Sequence, residues 1–203
     1  MAGEYKKPIP VGVSARHAHV CQKDLAILFG EGYKLSVLYP LSQPGQYAAT
    51  ETVTVKTSQG EIPGVRILGP VRPATQLEIS LTDARRLGLM VPVRMSAPGG
   101  ACCVTLIGPK GQVPLAEAAI AAMRHIHMTP QDALEFDVMD GDQVKVKAIA
   151  GRSVVFEQVL VRVSPQFSLE FHVDTDEANA SGLRTGDKVE LVHPFRVPSG
   201  PLR

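Results

Sequence analysis

The sequence contains only 3 cysteines and no tryptophan, and aromatic residues make up 5% of its 203 positions. Two of the cysteines, Cys102 and Cys103, are adjacent, and the third is Cys21. An odd number of cysteines without regular spacing does not form the disulfide framework of a small secreted domain. We therefore expect a reducing, cytosol-like compartment.

Long hydrophobic runs and an excess of either charge are also missing. No apolar run approaches the length of about 18 residues that a membrane helix needs, and no apolar leader opens the chain. Lysine and arginine number 21 and aspartate and glutamate 20, whereas general nucleic-acid binders usually carry a basic excess. We expect neither a membrane nor a nucleic acid as a partner, although a local basic pocket for a small anion is compatible with this balance.

The residues that are present indicate a mainly β protein. Hydrophobic residues make up 44% of the chain, enough for a substantial core, and 18 glycines and 16 prolines mark frequent turns. The predicted fold has two small closed β-barrels from an internal duplication, with short capping helices. Closure of each barrel would hide the strand edges that otherwise promote aggregation.

The duplication is visible in two pairs of similar segments. Residues 16–20 (RHAHV) correspond to residues 124–128 (RHIHM), and residues 77–81 (LEISL) correspond to residues 169–173 (LEFHV). The repeats place the first barrel at residues 16–122, with a turn-rich insertion at about residues 30–50. The second repeat occupies residues 123–193, and residues 194–203 are expected to form a tail.

Each repeat carries a His-x-His pair, His17 with His19 and His125 with His127. Side chains two apart on a strand project from the same face, about 6.5–7 Å apart at Cα, so both imidazoles can bind one ion. The 6 histidines of the chain, placed at random, would give less than one such pair. The two pairs therefore predict two metal sites, and zinc is an ion that accepts imidazole nitrogens.

The two Leu-Glu segments nominate the remaining ligands. Aligning residues 77–81 with 169–173 matches Glu78 with Glu170 and Ser80 with His172. Glu78 is then the metal-capable residue of the first repeat, whereas the second repeat offers His172, and we interpret Glu170 as structural. A pseudo-twofold arrangement of the barrels would bring both sites to one cleft. The predicted ligand sets are His17, His19 and Glu78 for one ion and His125, His127 and His172 for the other.

Longer segments of the chain resemble a known family. The segments around both His-x-His pairs, the segment that runs from Gly69-Pro70-Val71-Arg72 to Glu78, and residues 41–47 and 171–178 are similar to those of the PduL-type phosphotransacylases, or phosphate propanoyltransferases. The resemblance extends over about residues 8–193. It implies two small β-barrels, in which the strand at about residues 8–15 completes the barrel of the C-terminal half. It also implies two zinc ions on the six ligands named above.

The resemblance implies an acyltransferase that exchanges a short acyl group, propanoyl or similar, between coenzyme A and inorganic phosphate in both directions. Arg72 matches the catalytic arginine of the family, and its planar guanidinium suits two phosphate oxygens. No Ser-His-Asp arrangement is apparent in the sequence, so direct attack by phosphate is the expected route. Turn amides can bind the phosphates of coenzyme A, and the candidate turns contain Gln43, Pro44, Gly45, Ser96, Gly99 and Gly100.

Two other functions remain open at this point. A metal-dependent hydrolase of thioesters or other acyl substrates could use the same ligands, although the His-x-His-x-Asp-His motif of lactamase-type hydrolases is missing. A non-catalytic metal-binding barrel is the second alternative. A purely structural protein would need neither Arg72 nor the exchange of glutamate for histidine between the two sites.

The resemblance also implies a homodimer or higher homo-oligomer. It places the chain in the cytoplasm, or in the lumen of a bacterial microcompartment with other enzymes of propanediol degradation. Many family members carry an N-terminal amphipathic helix that targets them to microcompartments. Residues 1–9 are polar and contain Pro8, so we expect them not to form such a helix. The chain is then expected to be truncated or not packaged in this way.

Overall fold

The computed structural model describes residues 7–96, 99–100, 103–149 and 151–197. The mainly β fold expected from the sequence is confirmed. The chain divides into two compact units. The N-terminal unit is Ala15–Ala122, and the C-terminal unit combines the described parts of Met1–Ser14 and Met123–Arg203.

The described residues form short strands connected by turns and by four helices. The strands are β1 (Ile9–Ser14), β2 (His17–His19), β3 (Val37–Pro40), β4 (Tyr47–Lys56), β5 (Glu61–Gly69), β6 (Gln76–Glu78), β7 (Val93–Arg94), β8 (Val104–Ile107), β9 (Gln112–Leu115), β10 (Ala119–Ala122), β11 (His125–Met128), β12 (Gln143–Ala148), β13 (Val155–Val163), β14 (Glu170–Asp174) and β15 (Lys188–Val197). The helices are α1 (Gln22–Phe29), α2 (Leu81–Arg86), α3 (Pro130–Phe136) and α4 (Thr175–Ser181). Within the described part of the chain, none of these helices has the length and apolar character needed to cross a membrane.

The C-terminal unit is a closed barrel with the strand order β1-β14-β11-β13-β12-β15. Strand β1 closes it by pairing in parallel with β14 and antiparallel with β15, with Val11 beside Phe171 and Ile9 beside Val189. Alternate residues of β12 are buried, which is the pattern of a strand with one face on a core. Phe136 from α3 is fully buried in this core.

The N-terminal unit is a curled, open sheet of nine strands. Its strand order is β7-β10-β6-β2-β5-β4-β8-β9, and β3 pairs with β4 outside this path. The sequence predicts a closed barrel for residues 16–122, and the difference arises at β8. That strand forms a hairpin with β9, with Val104 beside Leu115. The hairpin occupies the edge of β8 that would otherwise be available for closure.

Six strands of each unit nevertheless follow one plan. The path β10-β6-β2-β5-β4-β8 has the same succession of parallel and antiparallel pairs as the path β1-β14-β11-β13-β12-β15. In both paths the strand with the His-x-His pair lies between an antiparallel neighbour, β6 or β14, and a parallel neighbour, β5 or β13. The internal duplication is therefore present in the strand topology as well as in the sequence.

The strand register corrects the alignment of the two Leu-Glu segments. Glu78 lies beside His17 in the N-terminal unit, as His172 lies beside His125 in the C-terminal unit. The counterpart of His172 is therefore Glu78, and Ser80 does not take its place. A shift of two residues conserves the side-chain alternation of a strand, so the hydrophobic pattern alone could not detect the error.

Each helix begins soon after a strand that carries candidate ligands, and side-chain caps fix where α2, α3 and α4 start. Ser80 and Asp174 are the N-caps of α2 and α4, and each side chain accepts a hydrogen bond from a backbone N–H in the first turn. Thr129 caps α3 in a capping box with Asp132. These caps terminate the short ligand-bearing strands at defined residues.

The structure also shows what lies in the insertion and in the tail that were expected from the sequence. The insertion expected at about residues 30–50 contains β3 and the beginning of β4. Strand β15 continues to Val197, beyond residue 194, at which the tail was expected to start. The strand runs on because its ladder with β12 reaches Val197, which pairs with Gln143.

Candidate functional site

The first candidate metal cluster lies in the N-terminal unit and consists of His17 and His19 on β2 and Glu78 on β6. One ligand atom of each residue lies within 4.8 Å of the other two. The Nε2 atoms of His17 and His19 are 3.5 and 3.7 Å from the two carboxylate oxygens of Glu78. Antiparallel pairing of β2 with β6 brings these three residues together.

Backbone carbonyl groups set the orientation of both rings in the first cluster. His17 Nδ1 lies 2.9 Å from the carbonyl oxygen of Ala15, and His19 Nδ1 lies 3.3 Å from that of Leu68. A carbonyl oxygen only accepts hydrogen bonds, so Nδ1 carries a proton in both rings and Nε2 is the nitrogen that faces Glu78. Histidines that bind metals are typically held by such an outer contact.

Charge and burial give two of the three residues, Glu78 and His19, the protonation states of metal ligands. Burial, with a smaller effect of neighbouring charges, lowers the pKa of His19 to about 3. Burial alone would raise the pKa of Glu78, but His17 and His19 hold it well below its usual range. Burial opposes a charge on His17, and the Glu78 carboxylate outweighs this effect and raises the His17 pKa. The cluster thus presents an ionised carboxylate and the neutral His19 imidazole.

The second candidate metal cluster lies in the C-terminal unit and contains three histidines. His125 and His127 come from β11 and His172 from β14, with one ligand atom of each within 4.8 Å of the others. Their ring centroids are 4.7–4.9 Å apart. His125 Nδ1 lies 2.8 Å from the carbonyl oxygen of Met123, which repeats the contact of His17 with Ala15.

His127 is the clearest indication that the second cluster suits a metal. Its side chain is buried, and neither ring nitrogen has a hydrogen-bond partner among the described residues. Burial, together with the other two histidines, lowers its pKa to about 2, so the imidazole is neutral. A buried imidazole nitrogen without a hydrogen-bond partner lowers the stability of the folded protein by about 1–3 kcal/mol. A divalent cation would satisfy one of these nitrogens, so the residues fit a metal of the zinc type.

An arginine next to the first histidine of each cluster forms an ion pair with a helix. Arg16 donates two hydrogen bonds to Asp83 of α2, at 2.7 and 3.0 Å. Arg124 donates to Glu177 of α4 at 2.6 Å. Each pair links the start of the His-x-His strand to the helix that follows the third candidate ligand. Both arginines therefore pair with acidic groups of the fold.

Arg72 lies between β5 and β6 and is half-buried. Its backbone N–H donates to the carbonyl oxygen of Val20 at 2.9 Å, which ties this segment to the end of β2. The positive charge of Arg72 contributes to lowering the pKa of His19 and opposes protonation of His17. Its guanidinium is therefore electrostatically coupled to the first cluster.

The turns nominated for coenzyme A lie in the N-terminal unit. Gln43 is buried and Pro44 is exposed, in a turn closed by a hydrogen bond from Gln46 N–H to the Gln43 carbonyl. Gly45 is exposed and has a φ of 74°, a conformation that favours glycine. Binding of coenzyme A by this turn stays a prediction.

The second nominated turn is only partly described, because residues 97–98 lie outside the described residues. Ser96 and Gly99 are exposed and Gly100 is half-buried. A Cβ at Gly100 would lie 2.6 Å from the carbonyl oxygen of Ala119, so only glycine allows this approach to β10. This turn also stays a prediction.

Neither of the two described cysteines joins a candidate metal cluster. Cys21 is the N-cap of α1, and strand β2 ends before it at His19. Cys103 is exposed and has a φ of 68°. It precedes β8, whose apolar alternation begins at Val104. Cys102 lies outside the described residues.

Two residues near the candidate sites were missed by the sequence analysis. Gln76 donates a hydrogen bond to Glu78 Oε1 at 2.6 Å, and a correct pairing register of β2 with β6 would have placed it there. The guanidinium of Arg94 approaches Gly99 so closely that a Cβ there would lie 2.6 Å from its Nη1 atom. No sequence signal connected Arg94 with that turn.

Comparisons with known proteins agree with the resemblance noted in the sequence. A family model described as phosphate propanoyltransferase matches residues 10–184. A phosphate propanoyltransferase of Thermotoga maritima is 54% identical over 190 residues, which covers 92% of this chain and 90% of that protein. Proteins of the same name from Lachnoclostridium phytofermentans and Citrobacter rodentium are 49% and 50% identical, over 91% and 87% of this chain and 87% and 85% of their own lengths.

Proposed function

The chain belongs to the phosphate propanoyltransferase family, and we propose that it transfers a short acyl group, propanoyl or similar, reversibly between coenzyme A and inorganic phosphate. One observation carries this proposal beyond the family name. The two clusters of potential ligands occupy equivalent strand positions in the two units, and Arg72 is coupled to one of them. Acyltransferase activity follows from the family.

Each cluster would hold one divalent ion, which we propose to be zinc. His17, His19 and Glu78 would bind the first, and His125, His127 and His172 the second. Zinc with three protein ligands keeps an open position, where it can polarise a thioester carbonyl or bind a thiolate. Imidazole nitrogens suit zinc better than magnesium, which prefers oxygen ligands.

We assign Arg72 to binding and orienting the attacking phosphate. Its guanidinium can donate two parallel hydrogen bonds to two phosphate oxygens and offset their negative charge. An oxygen of the held phosphate then forms a bond to the thioester carbonyl carbon. The carbon–sulfur bond breaks, its electron pair leaves with the sulfur as coenzyme A thiolate, and the acyl phosphate remains. The reverse reaction uses the same groups.

We propose direct attack because the two candidate metal clusters consist of histidine and glutamate, and no described cysteine that could carry the acyl group joins either of them. Cys21 lies at a helix N-cap and Cys103 is exposed before β8. The turns at Gln43–Gly45 and at Ser96, Gly99 and Gly100 are proposed to bind coenzyme A. The closeness of Arg94 to Gly99 supports the second turn, because a guanidinium suits the phosphates of that substrate.

The test is an assay of coenzyme A release from propanoyl-CoA, combined with metal analysis of the same sample. We expect release that requires phosphate, formation of acyl phosphate in equal amount, and about two divalent ions per chain. Thioester cleavage without phosphate would instead indicate a hydrolase. Metal without any turnover would indicate a binding module. Full activity in native protein that contains no divalent ion would refute the metal assignment.

The remaining proposals rest on the family resemblance alone. We propose a homodimer or higher homo-oligomer that works in the cytoplasm, or beside other enzymes in a microcompartment lumen. Sedimentation analysis of the purified chain tests the oligomeric state. Co-purification with microcompartment shells tests the second location.

A further inference from the structure

The two candidate metal clusters differ in where they carry their carboxylate. In the N-terminal unit Glu78 is one of the three potential ligands, and the residue beside His19 in the neighbouring strand is Gln76. In the C-terminal unit the third ligand is His172, and the residue beside His127 is Glu170. The glutamate is therefore the third potential ligand in the N-terminal unit, whereas in the C-terminal unit it is the residue beside the second histidine.

The two exchanged residues make corresponding contacts. Gln76 and Glu170 are both buried. Gln76 Nε2 is 2.6 Å from Glu78 Oε1, and Glu170 Oε2 is 3.0 Å from His172 Nε2. Each outer residue therefore contacts the third potential ligand of its own cluster. The contact of Glu170 with His172 lacks the angle of a hydrogen bond and acts through charge and proximity.

The fold leaves space for the Glu170 carboxylate. On β1, Gly12 lies beside His172, and a Cβ there would be 2.8 Å from the Glu170 carboxyl group. In the N-terminal unit the corresponding position beside Glu78 is Ile120 on β10. A larger residue at position 12 would push the Glu170 side chain away. The glycine therefore provides the space that the Glu170 carboxylate occupies.

The exchange keeps the charge of the two clusters equal. Each has one carboxylate, which is the third potential ligand Glu78 in one unit and Glu170, in contact with the third potential ligand, in the other. A divalent ion held by three neutral histidines in a buried site lacks the compensating negative charge that a carboxylate ligand supplies. A carboxylate in contact with a ligating histidine supplies part of this charge, and it raises the basicity of the ring when it faces the nitrogen that does not bind the ion.

We propose that Glu170 is a positioning residue of the second metal cluster, which orients His172 and supplies from an outer position the negative charge that Glu78 supplies within the first cluster. The proposal rests on the metal binding argued under Proposed function. It concerns only the zinc affinity of the second cluster, so the role of Glu170 can be refuted while the proposed metal binding holds.

The experiment measures zinc affinity by competition with a chelating dye, in a His19→Ala background that weakens the first cluster. Glu170→Gln keeps the shape of the side chain and removes its charge. We expect the affinity to fall by about 10–100-fold, the range seen when outer contacts of metal ligands are removed. Glu157→Gln is the matched control, because Glu157 is an exposed glutamate of the same unit and should leave the affinity unchanged.

A compensating exchange provides the second arm. The double variant Glu170→Gln/His172→Glu gives the C-terminal unit the pattern of the N-terminal one, and its zinc affinity should return to within a few-fold of the background. The melting temperature of each metal-free variant separates positioning from folding, and we expect it to be unchanged in Glu170→Gln. The cobalt(II) absorption spectrum gives an independent view of the ligand set.

The outcomes are distinguishable. If the background protein binds no zinc at the second cluster, the metal assignment itself fails. If it binds zinc and Glu170→Gln stays within about twofold of it, the role of Glu170 is refuted. A lower affinity accompanied by a lower melting temperature of the metal-free form would indicate a structural residue. A well-folded double variant that binds as weakly as Glu170→Gln would refute charge compensation. If the double variant does not fold, the single variant and its control decide.

Discussion

Replacing Arg72 by alanine is the sharpest test of how this enzyme handles phosphate. The residue is half-buried beside the first cluster, and its charge already affects the pKa of two histidines there. Its backbone N–H, which anchors the segment to Val20, is retained in any substitution except proline. The variant should therefore remove the guanidinium and leave the fold and both candidate metal clusters intact.

The expected loss follows from the surroundings of the side chain. A preorganised donor aimed at developing charge contributes about 10²–10³-fold in rate, or about 2.7–4 kcal/mol. Arg72 is only half-buried, so remaining water screens part of its charge, and the loss should lie within this range and not above it. Arg72→Lys restores the charge without the bidentate fork and should recover only part of the rate.

Steady-state kinetics with phosphate as the varied substrate measures this loss, and metal analysis of the same preparations checks the clusters. Arg85→Ala is the matched control, because Arg85 is an exposed arginine in the last turn of α2. It should leave the rate unchanged. An Arg72→Ala enzyme with wild-type rate and phosphate dependence would falsify the assignment.

Three further predictions test the clusters and the fold. His125→Ala and His172→Ala should each empty the second cluster while the first keeps its metal, and equal loss from both clusters in metal analysis would contradict two independent sites. Asp132→Asn should cost about 1 kcal/mol of unfolding free energy at pH 7, the usual net contribution of one hydrogen bond, because Asp132 is the N3 residue of the capping box on α3. Burial opposes ionisation of Asp132, but Thr129 and the other hydrogen-bond partners lower its pKa below the ordinary 3.8. The difference from wild type in urea titrations should therefore persist above pH 4 and shrink as pH falls further; a difference that grows in acid would be evidence against this account. Cys21→Ser should retain both metal and turnover, and loss of both would add Cys21 to the ligands.

The candidate ligands could be found in the sequence because strand geometry has a simple period. Two histidines separated by one residue lie on one face of any strand, so both His-x-His pairs could be nominated without knowing the fold. The internal repeat places the second pair at the equivalent position of its own unit, so both pairs could be predicted as metal ligands on the same grounds. The mainly β class followed similarly from frequent turns between short apolar segments.

The partners of those histidines depend on pairing between distant strands, and only the tertiary structure determines it. Shifting a strand by two residues conserves its alternation, so the sequence could not show that Glu78 is the counterpart of His172 or that Gln76 is the counterpart of Glu170. Strand pairing also explains why the sheet of the N-terminal unit is open. The β8–β9 hairpin occupies the edge of β8 that a closed barrel, as predicted from the repeat, would have used. Local periodicity determined which side chains share a face, and long-range register decided which groups those faces bring into contact.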